Sequence, residues 1–125
     1  MADFSAVGQQ FVDFYYKTFD GDRGQLAALY REGSMLTFEG APFQGTGNIL
    51  EKLKSLPFQK VQHRVDTCDA QPVNQDGGIL VLVSGALMVD EQPQPMSYVQ
   101  SFTLMPESGS YYIQNDVFRL VYAAG

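Results

Sequence analysis

The stretch GILVLVSGALMV, residues 78–89, constrains this chain more than any other segment. It follows the turn-forming NQDGG and runs into QPQP, so breakers bound it on both sides. Its apolar residues occupy both parities, which predicts a strand with neither face turned to water. A sheet built around such a strand needs cover on each side. Three covers are open: helices on both faces, a second copy of the chain on one face, or a sheet rolled enough to bury both faces itself. The helical signals fall early in the chain, which favours a homodimer formed sheet to sheet.

Those signals are threefold. Phe4, Val7, Phe11, Phe14 or Tyr15, and Thr18 recur at three- and four-residue steps, with Asp3 or Ser5 available as a cap. FDGDRG then interrupts the chain with two glycines, and Asp22 with Gln25 resembles a capping box opening a short helix in QLAALY. A third helix is expected from Thr46, with Ile49, Leu50, Leu53 and Leu56 inward and Pro57 ending it.

After residue 58 the period becomes two. In KVQHRVDTCDA one face carries Val61, His63, Val65 and Thr67, and the other carries Gln62, Arg64, Asp66 and Cys68. MSYVQSFTLM alternates after QPQP, ESGS turns, and YYIQNDVFRLVY follows. Helices followed by an antiparallel meander of four long strands predict an α+β domain, with 1–125 as one unit.

Composition narrows the function. The chain has 125 residues and a net charge of −6, and its eight basic residues are scattered. That argues against nucleic acid, which needs clustered Lys and Arg. A macromolecular partner, if one exists, is expected to present basic residues; the plainer alternative is that acidity serves solubility. No apolar run approaches a membrane span, and MADFSAVGQQ does not read as a secretory signal. The single Cys68 can form no internal disulfide, which suits a reducing compartment.

No metal-ligand spacing, P-loop, dinucleotide fingerprint or nucleophile motif is present, so no cofactor or metal is expected. Cys68 has no His beside it on its predicted face, against a catalytic thiol. His63 shares a face with Val61 and Val65; it reads first as a core residue, with acid–base work or a polar contact inside a pocket as the alternative. Phe38, Leu56, Phe58, Val61, Met96 and Phe118 are large apolar residues near element ends, where a cone-shaped sheet would open. Glu39 follows Phe38, and Asp90–Glu91 ends the most apolar strand. An apolar hole with an acidic rim would look like this, and so would a packed core with solvated turn acids.

The segments FYYKTFDGDR, LYREGSMLTFEG, FQG, EKLKSLPFQKVQH, DAQP and NDVFRL resemble, in order and spacing, the nuclear transport factor 2 family, over residues 10 to 122. LPFQKVQH and NDVFRL are long enough to be specific, and the pattern is of fungal type. The resemblance implies a non-enzymatic, homodimeric carrier: three helices packed on a strongly bent antiparallel sheet around an apolar cavity. The family binds Ran in its GDP-bound form, an aromatic of switch II entering the cavity while basic side chains meet acids on the rim. It also binds phenylalanine–glycine repeats of nucleoporins, and so returns Ran to the nucleus. The implied location is cytoplasm and nucleus, enriched at the nuclear pore.

Carried over by position, the implied rim acids are Glu39, Asp90 and Glu91. The implied cavity residues are Phe38, Leu56, Phe58, Val61, His63, Met96 and Phe118, and the implied nucleoporin-binding residues are Phe4 and Asp20. Two positions depart from the family: animal members have Trp in place of Phe38, and Gln92 stands where some members have a third acid.

Two other classes compete. A fold-sharing isomerase or dehydratase would use Glu39 or Asp90 as base, opposite a Tyr or protonated acid. That needs a carboxylate deep in the cavity, whereas the parity above points only His63 inward. A fold-sharing adaptor without Ran activity, as in mRNA-export receptors and stress-granule scaffolds, is the other.

Overall fold

The computed structural model describes residues 3–57, 60–90 and 94–121. Helix α1 spans Phe4–Gly21, and a 3-10 helix follows at Arg23–Leu29. Strands β1 (Tyr30–Phe38) and β2 (Ala41–Gln44) form a hairpin, and α2 runs Thr46–Lys54. Four long strands complete the chain: β3 (Val61–Pro72), β4 (Ile79–Val89), β5 (Met96–Glu107) and β6 (Ser110–Leu120).

Asp3 caps α1 by accepting from the Ser5 backbone N–H at 3.0 Å. The buried face of α1 is Gly8, Phe11, Val12, Tyr15, Tyr16 and Phe19, spaced for one side of a helix. Tyr15 rather than Phe14 is the inward residue, and Phe14 is exposed. Asp22 caps the 3-10 helix through the Gly24 N–H, with the Gln25 amide reaching the same carboxylate. That helix stops at Leu29, so Tyr30, expected to be helical, opens β1 instead. Helix α2 ends at Lys54, before the proline expected to stop it, and leaves Leu56 in the following loop.

The sheet runs β2-β1-β6-β5-β4-β3. The four-strand meander is antiparallel, as its alternation predicts. β1 joins the far side of β6 in parallel, so the sheet is mixed rather than wholly antiparallel. The connection from β1 to its parallel neighbour β6 is long, running through β2, α2 and the antiparallel β3–β5, as a parallel pair requires.

Two irregularities fix which side chains face the helices. In β3 the pairing slips between Val65 and Thr67, opposite Gly85. A Cβ at residue 85 would collide with the Arg64 carbonyl, so glycine is required there. Past this bulge the parity reverses. Cys68 and Ala70 therefore pack against the core, and Cys68 does not share the Arg64/Asp66 face as alternation predicted. In β6, Leu104 pairs with Ile113 and Thr103 with Asn115, leaving Gln114 as the extra residue. Ile113, Asp116 and Phe118 are consequently all buried.

α1 packs on β3 and β4, and α2 on β1 and β2. The core between helices and sheet joins Val12, Tyr15 and Leu26 to Val81, Val83, Phe102, Leu104 and Ile113. β4 buries Ile79, Val81, Val83, Leu87 and Val89 on this side. Its other side presents Leu82 and Met88, with Val117 of β6, to the surface.

Candidate functional site

Where α2 and the end of α1 splay from the sheet, a cavity of about 270 Å³ remains. Its lining grades from exposed to buried. Phe38, Lys52, Leu56, Pro57, Met96 and Leu120 are partly or fully exposed and form the mouth. Tyr15, Leu36, Leu53, Val61, Leu87, Gln100, Asp116 and Phe118 are buried and form the interior. Of the residues expected in a cavity, the wall therefore holds Phe38, Leu56, Val61, His63, Met96 and Phe118. Phe58 lies outside the described residues.

The aromatic wall is ordered. Phe38 and Phe118 stack with centroids 4.8 Å apart, and Phe118 stacks in turn on Tyr98 at 5.8 Å. Lys52 of α2 places its Nζ 5.3 Å from the Phe38 ring and 5.8 Å from Phe43. Leu36, Phe38 and Phe118 reach the same space because β1 pairs with β6, placing Phe38 opposite Phe118.

Two acids stand at strand ends, both in the left-handed backbone region and neither lining the cavity itself: Glu39, next to the mouth residue Phe38, at φ 51°, and Asp90, one residue past Val89, which pairs with the wall residue Val61, at φ 48°. Such a conformation is uncommon outside glycine and persists where surrounding bonds hold it. Each carboxylate is so held. Glu39 Oε1 accepts from the Leu120 backbone N–H at 2.5 Å, and its own N–H donates to Phe118 O at 3.1 Å. Asp90 Oδ1 accepts from the Lys60 N–H at 3.0 Å, and its N–H donates to Lys60 O at 2.6 Å. Glu39 Oε2 also lies 3.6 Å from Arg119 Nη1, an ion pair open to solvent. Glu91 and Gln92 lie outside the described residues.

His63 is a core residue with a partner. Its backbone N–H donates to Asp20 Oδ2 at 2.9 Å, and its Nδ1 is 2.7 Å from Asp20 Oδ1. Its ring stacks on Tyr16 at 4.5 Å and meets Phe19 and Tyr98 edge-on. Asp20, at the end of α1, thus clamps β3 to the helix. Phe4 sits at the other end of α1, sixteen residues away and roughly 24 Å along the axis, half-exposed.

Alternation missed the most unusual side chain. Asp116 is buried on the cavity wall, and the β6 bulge turns it inward. Its Oδ2 accepts from Tyr30 Oη at 2.8 Å and, more weakly, from Tyr15 Oη at 3.4 Å. Its Oδ1 accepts from Gln100 Nε2 at 2.7 Å, while Gln100 Oε1 accepts from Tyr16 Oη at 2.7 Å. Burial pushes its pKa up to about 6, opposed by these donors. The same burial drives the Tyr15 and Tyr30 phenols well above their ordinary value, with the Asp116 charge adding to it. Counting back in twos from Phe118 is the one sequence signal that would have found Asp116.

Cys68 is half-buried, and burial followed by the nearby Asp69 and Asp13 raises its thiol pKa, which disfavours a nucleophilic thiolate. Among the described residues no cluster of three or more His, Cys, Asp or Glu could hold a metal, and no helix is long and apolar enough to cross a membrane.

The model of the nuclear transport factor 2 domain matches residues 7–120. The chain is 65% identical over 124 residues to nuclear transport factor 2 of Davidiella tassiana, covering 99% of each chain. The structure of nuclear transport factor 2 from Cryptosporidium parvum superposes with a TM-score of 0.90 at 44% identity, covering 94% of each chain. A hexachlorocyclohexane dehydrochlorinase from Novosphingobium barchaimii shares the fold at TM-score 0.77 but only 16% identity, over 94% of this chain and 86% of the enzyme. Fold alone therefore does not separate carrier from catalyst.

Proposed function

The chain belongs to the nuclear transport factor 2 family, whose close members are carriers and not enzymes, and from that premise we propose that it carries Ran-GDP into the nucleus. The observation that carries this reading is a largely apolar cavity with two acids, Glu39 and Asp90, at the ends of strands that help to form it, each fixed to a backbone N–H of the neighbouring segment. An aromatic side chain of switch II enters between Phe38, Phe118 and Met96. Basic residues of Ran meet Glu39, Asp90 and Glu91.

Burying one aromatic side chain contributes on the order of 1.5–3 kcal/mol, too little for selective binding once association entropy is included. The rim acids add orientation and rejection of wrong partners. Because their carboxylates are already positioned, little side-chain freedom remains to be lost on binding. Nucleotide selectivity follows from the switch segment, which rearranges with the γ-phosphate.

The exposed Leu82, Met88 and Val117 on the helix-free side of the sheet support a homodimer joined through that face. Phe4 and Asp20 bind phenylalanine–glycine repeats of nucleoporins, and their separation along α1 means that a single phenylalanine cannot touch both in one protomer. Repeat binding concentrates the carrier at the nuclear pore between cytoplasm and nucleus.

An isomerase-type reading gains a buried carboxylate in Asp116. Three donors hold it and partly oppose the rise in its pKa, and the tyrosines that would polarise a substrate are already donating to it. The test of the carrier reading is a pulldown with Ran-GDP and Ran-GTP. Selective recovery of the GDP form is expected; equal recovery of both, or of neither, overturns it.

A further inference from the structure

The inner wall of the cavity is partly polar. Gln100 and Asp116 both line it, beside Leu36, Leu53 and Leu87. Among the described residues Asp116 Oδ1 has one donor, Gln100, and a carboxylate oxygen accepts two. A purely hydrocarbon occupant would seal that acceptor from water without replacing the lost hydrogen bond. An occupant that brings one hydroxyl to the inner wall would meet it.

Size and charge narrow the class. A cavity of roughly 150 Å³ accepts benzene, so about 270 Å³ admits one substituted ring. Phe38 and Phe118 both line the cavity and give such a ring an apolar aromatic wall to pack on. An anion would meet the buried Asp116 and the net charge of −6. An ammonium brings three donors to a single open acceptor and must leave water, a cost of several kcal/mol. A phenol, with a pKa near 10, is neutral at pH 7 and carries one donor.

We infer that the cavity is a binding site for small neutral phenols, the ring lying against Phe38 and Phe118 and the hydroxyl donating to Asp116 Oδ1. A bound phenol fills the space that the carrier reading gives to the partner's aromatic side chain, so it acts as a competitor there. The site itself stands on the cavity alone and is tested on the free protein.

The probes are p-cresol and toluene, which differ by that hydroxyl. In methyl-labelled protein at pH 7.5, p-cresol is expected to shift the Met96 methyl resonance and to bind at least tenfold more tightly than toluene. Asp116→Asn should bring that ratio to threefold or less, because a neutral amide oxygen accepts a hydrogen bond more weakly than a carboxylate oxygen. If that variant does not fold, Met96→Phe serves instead. It narrows the mouth without touching the polar wall, and should weaken p-cresol at least fivefold. No Met96 shift at millimolar p-cresol, equal binding of toluene, or unchanged p-cresol affinity in Met96→Phe overturns the inference. Failure of Ran-GDP to bind, with these results intact, would sink the carrier reading and leave the phenol site standing.

Discussion

Glu39 and Asp116 carry the same functional group on neighbouring parts of one sheet, one beside the mouth of a cavity and the other on its wall. Glu39 is anchored by a backbone N–H, faces an arginine and keeps a side chain 29% exposed. Asp116 is sealed in, with only neutral donors around it. At the rim, water and Arg119 stabilise the charge, so it remains available to a partner. In the interior nothing cationic offsets the loss of water, and the carboxyl drifts towards its neutral form. The difference separates the two carboxylates: Asp116 organises the core, while Glu39, on the carrier reading proposed above, meets what arrives.

The comparison breaks first if Asp116 can be removed cheaply. Asp116→Ala leaves the Gln100 amide without its acceptor and the Tyr30 hydroxyl with only Tyr15 Oη, 3.1 Å away, as a partner. With the void added, a loss of about 3–5 kcal/mol is expected in urea denaturation. A loss below 1 kcal/mol would mean that the network is incidental.

Acidity gives the second handle. A pKa of about 6 against an ordinary 3.8 means that the folded chain holds this proton more tightly than the unfolded chain. Its contribution to stability is therefore fully present below about pH 4 and is lost as pH rises through 6, about 3 kcal/mol in all. Most carboxylates act in the opposite sense, so the contribution is read as the difference between the parent and Asp116→Asn. The parent should lose about 2 kcal/mol relative to the variant between pH 4 and pH 7.5. A constant difference across that range would show that Asp116 titrates normally.

At the rim the effects should fall on binding. Glu39→Gln keeps an oxygen for the Leu120 N–H while removing the charge. Stability should change by less than about 1 kcal/mol, whereas Ran-GDP affinity should fall by about 2 kcal/mol or more, as for truncating a paired charge at an interface. Glu39→Lys adds a like charge beside Arg119 and should leave Ran-GDP binding undetectable by calorimetry. Parent-like affinity in Glu39→Lys, with the protein still dimeric, would remove Glu39 from the interface.

These depths were unequally legible in the sequence. The rim could be read because its residues sit at breaks: Glu39 and Asp90 end apolar runs, and a strand end is visible in one dimension. The meander and the length of α1 were legible for the same reason, since period and punctuation are local properties. What failed was parity across a bulge. Cys68 and Asp116 each lie beyond a slipped residue, in β3 and β6, and one extra residue moves every later side chain to the other face. The start of β1 was missed because Tyr30 continues an acceptable helical pattern. Its strand state comes from pairing with β6, a partner eighty residues away in the chain that no local window contains.

Arg119 supplies the finest test of the comparison. Its guanidinium lies 3.6 Å from Glu39 and is 58% exposed, so the pair is screened and contributes little to folding. Arg119→Ala should change stability by no more than about 0.5 kcal/mol. Yet Arg119 occupies Glu39 Oε2, the oxygen not engaged by Leu120, and a basic side chain of the partner must share or displace it. Removing Arg119 should therefore tighten Ran-GDP binding by a small factor, about twofold, with most of the gain at low salt where the local field is strongest. Weaker binding in this variant would place Arg119 in the interface itself. Glu39 would then be a support that aims the arginine, rather than the charge the partner meets.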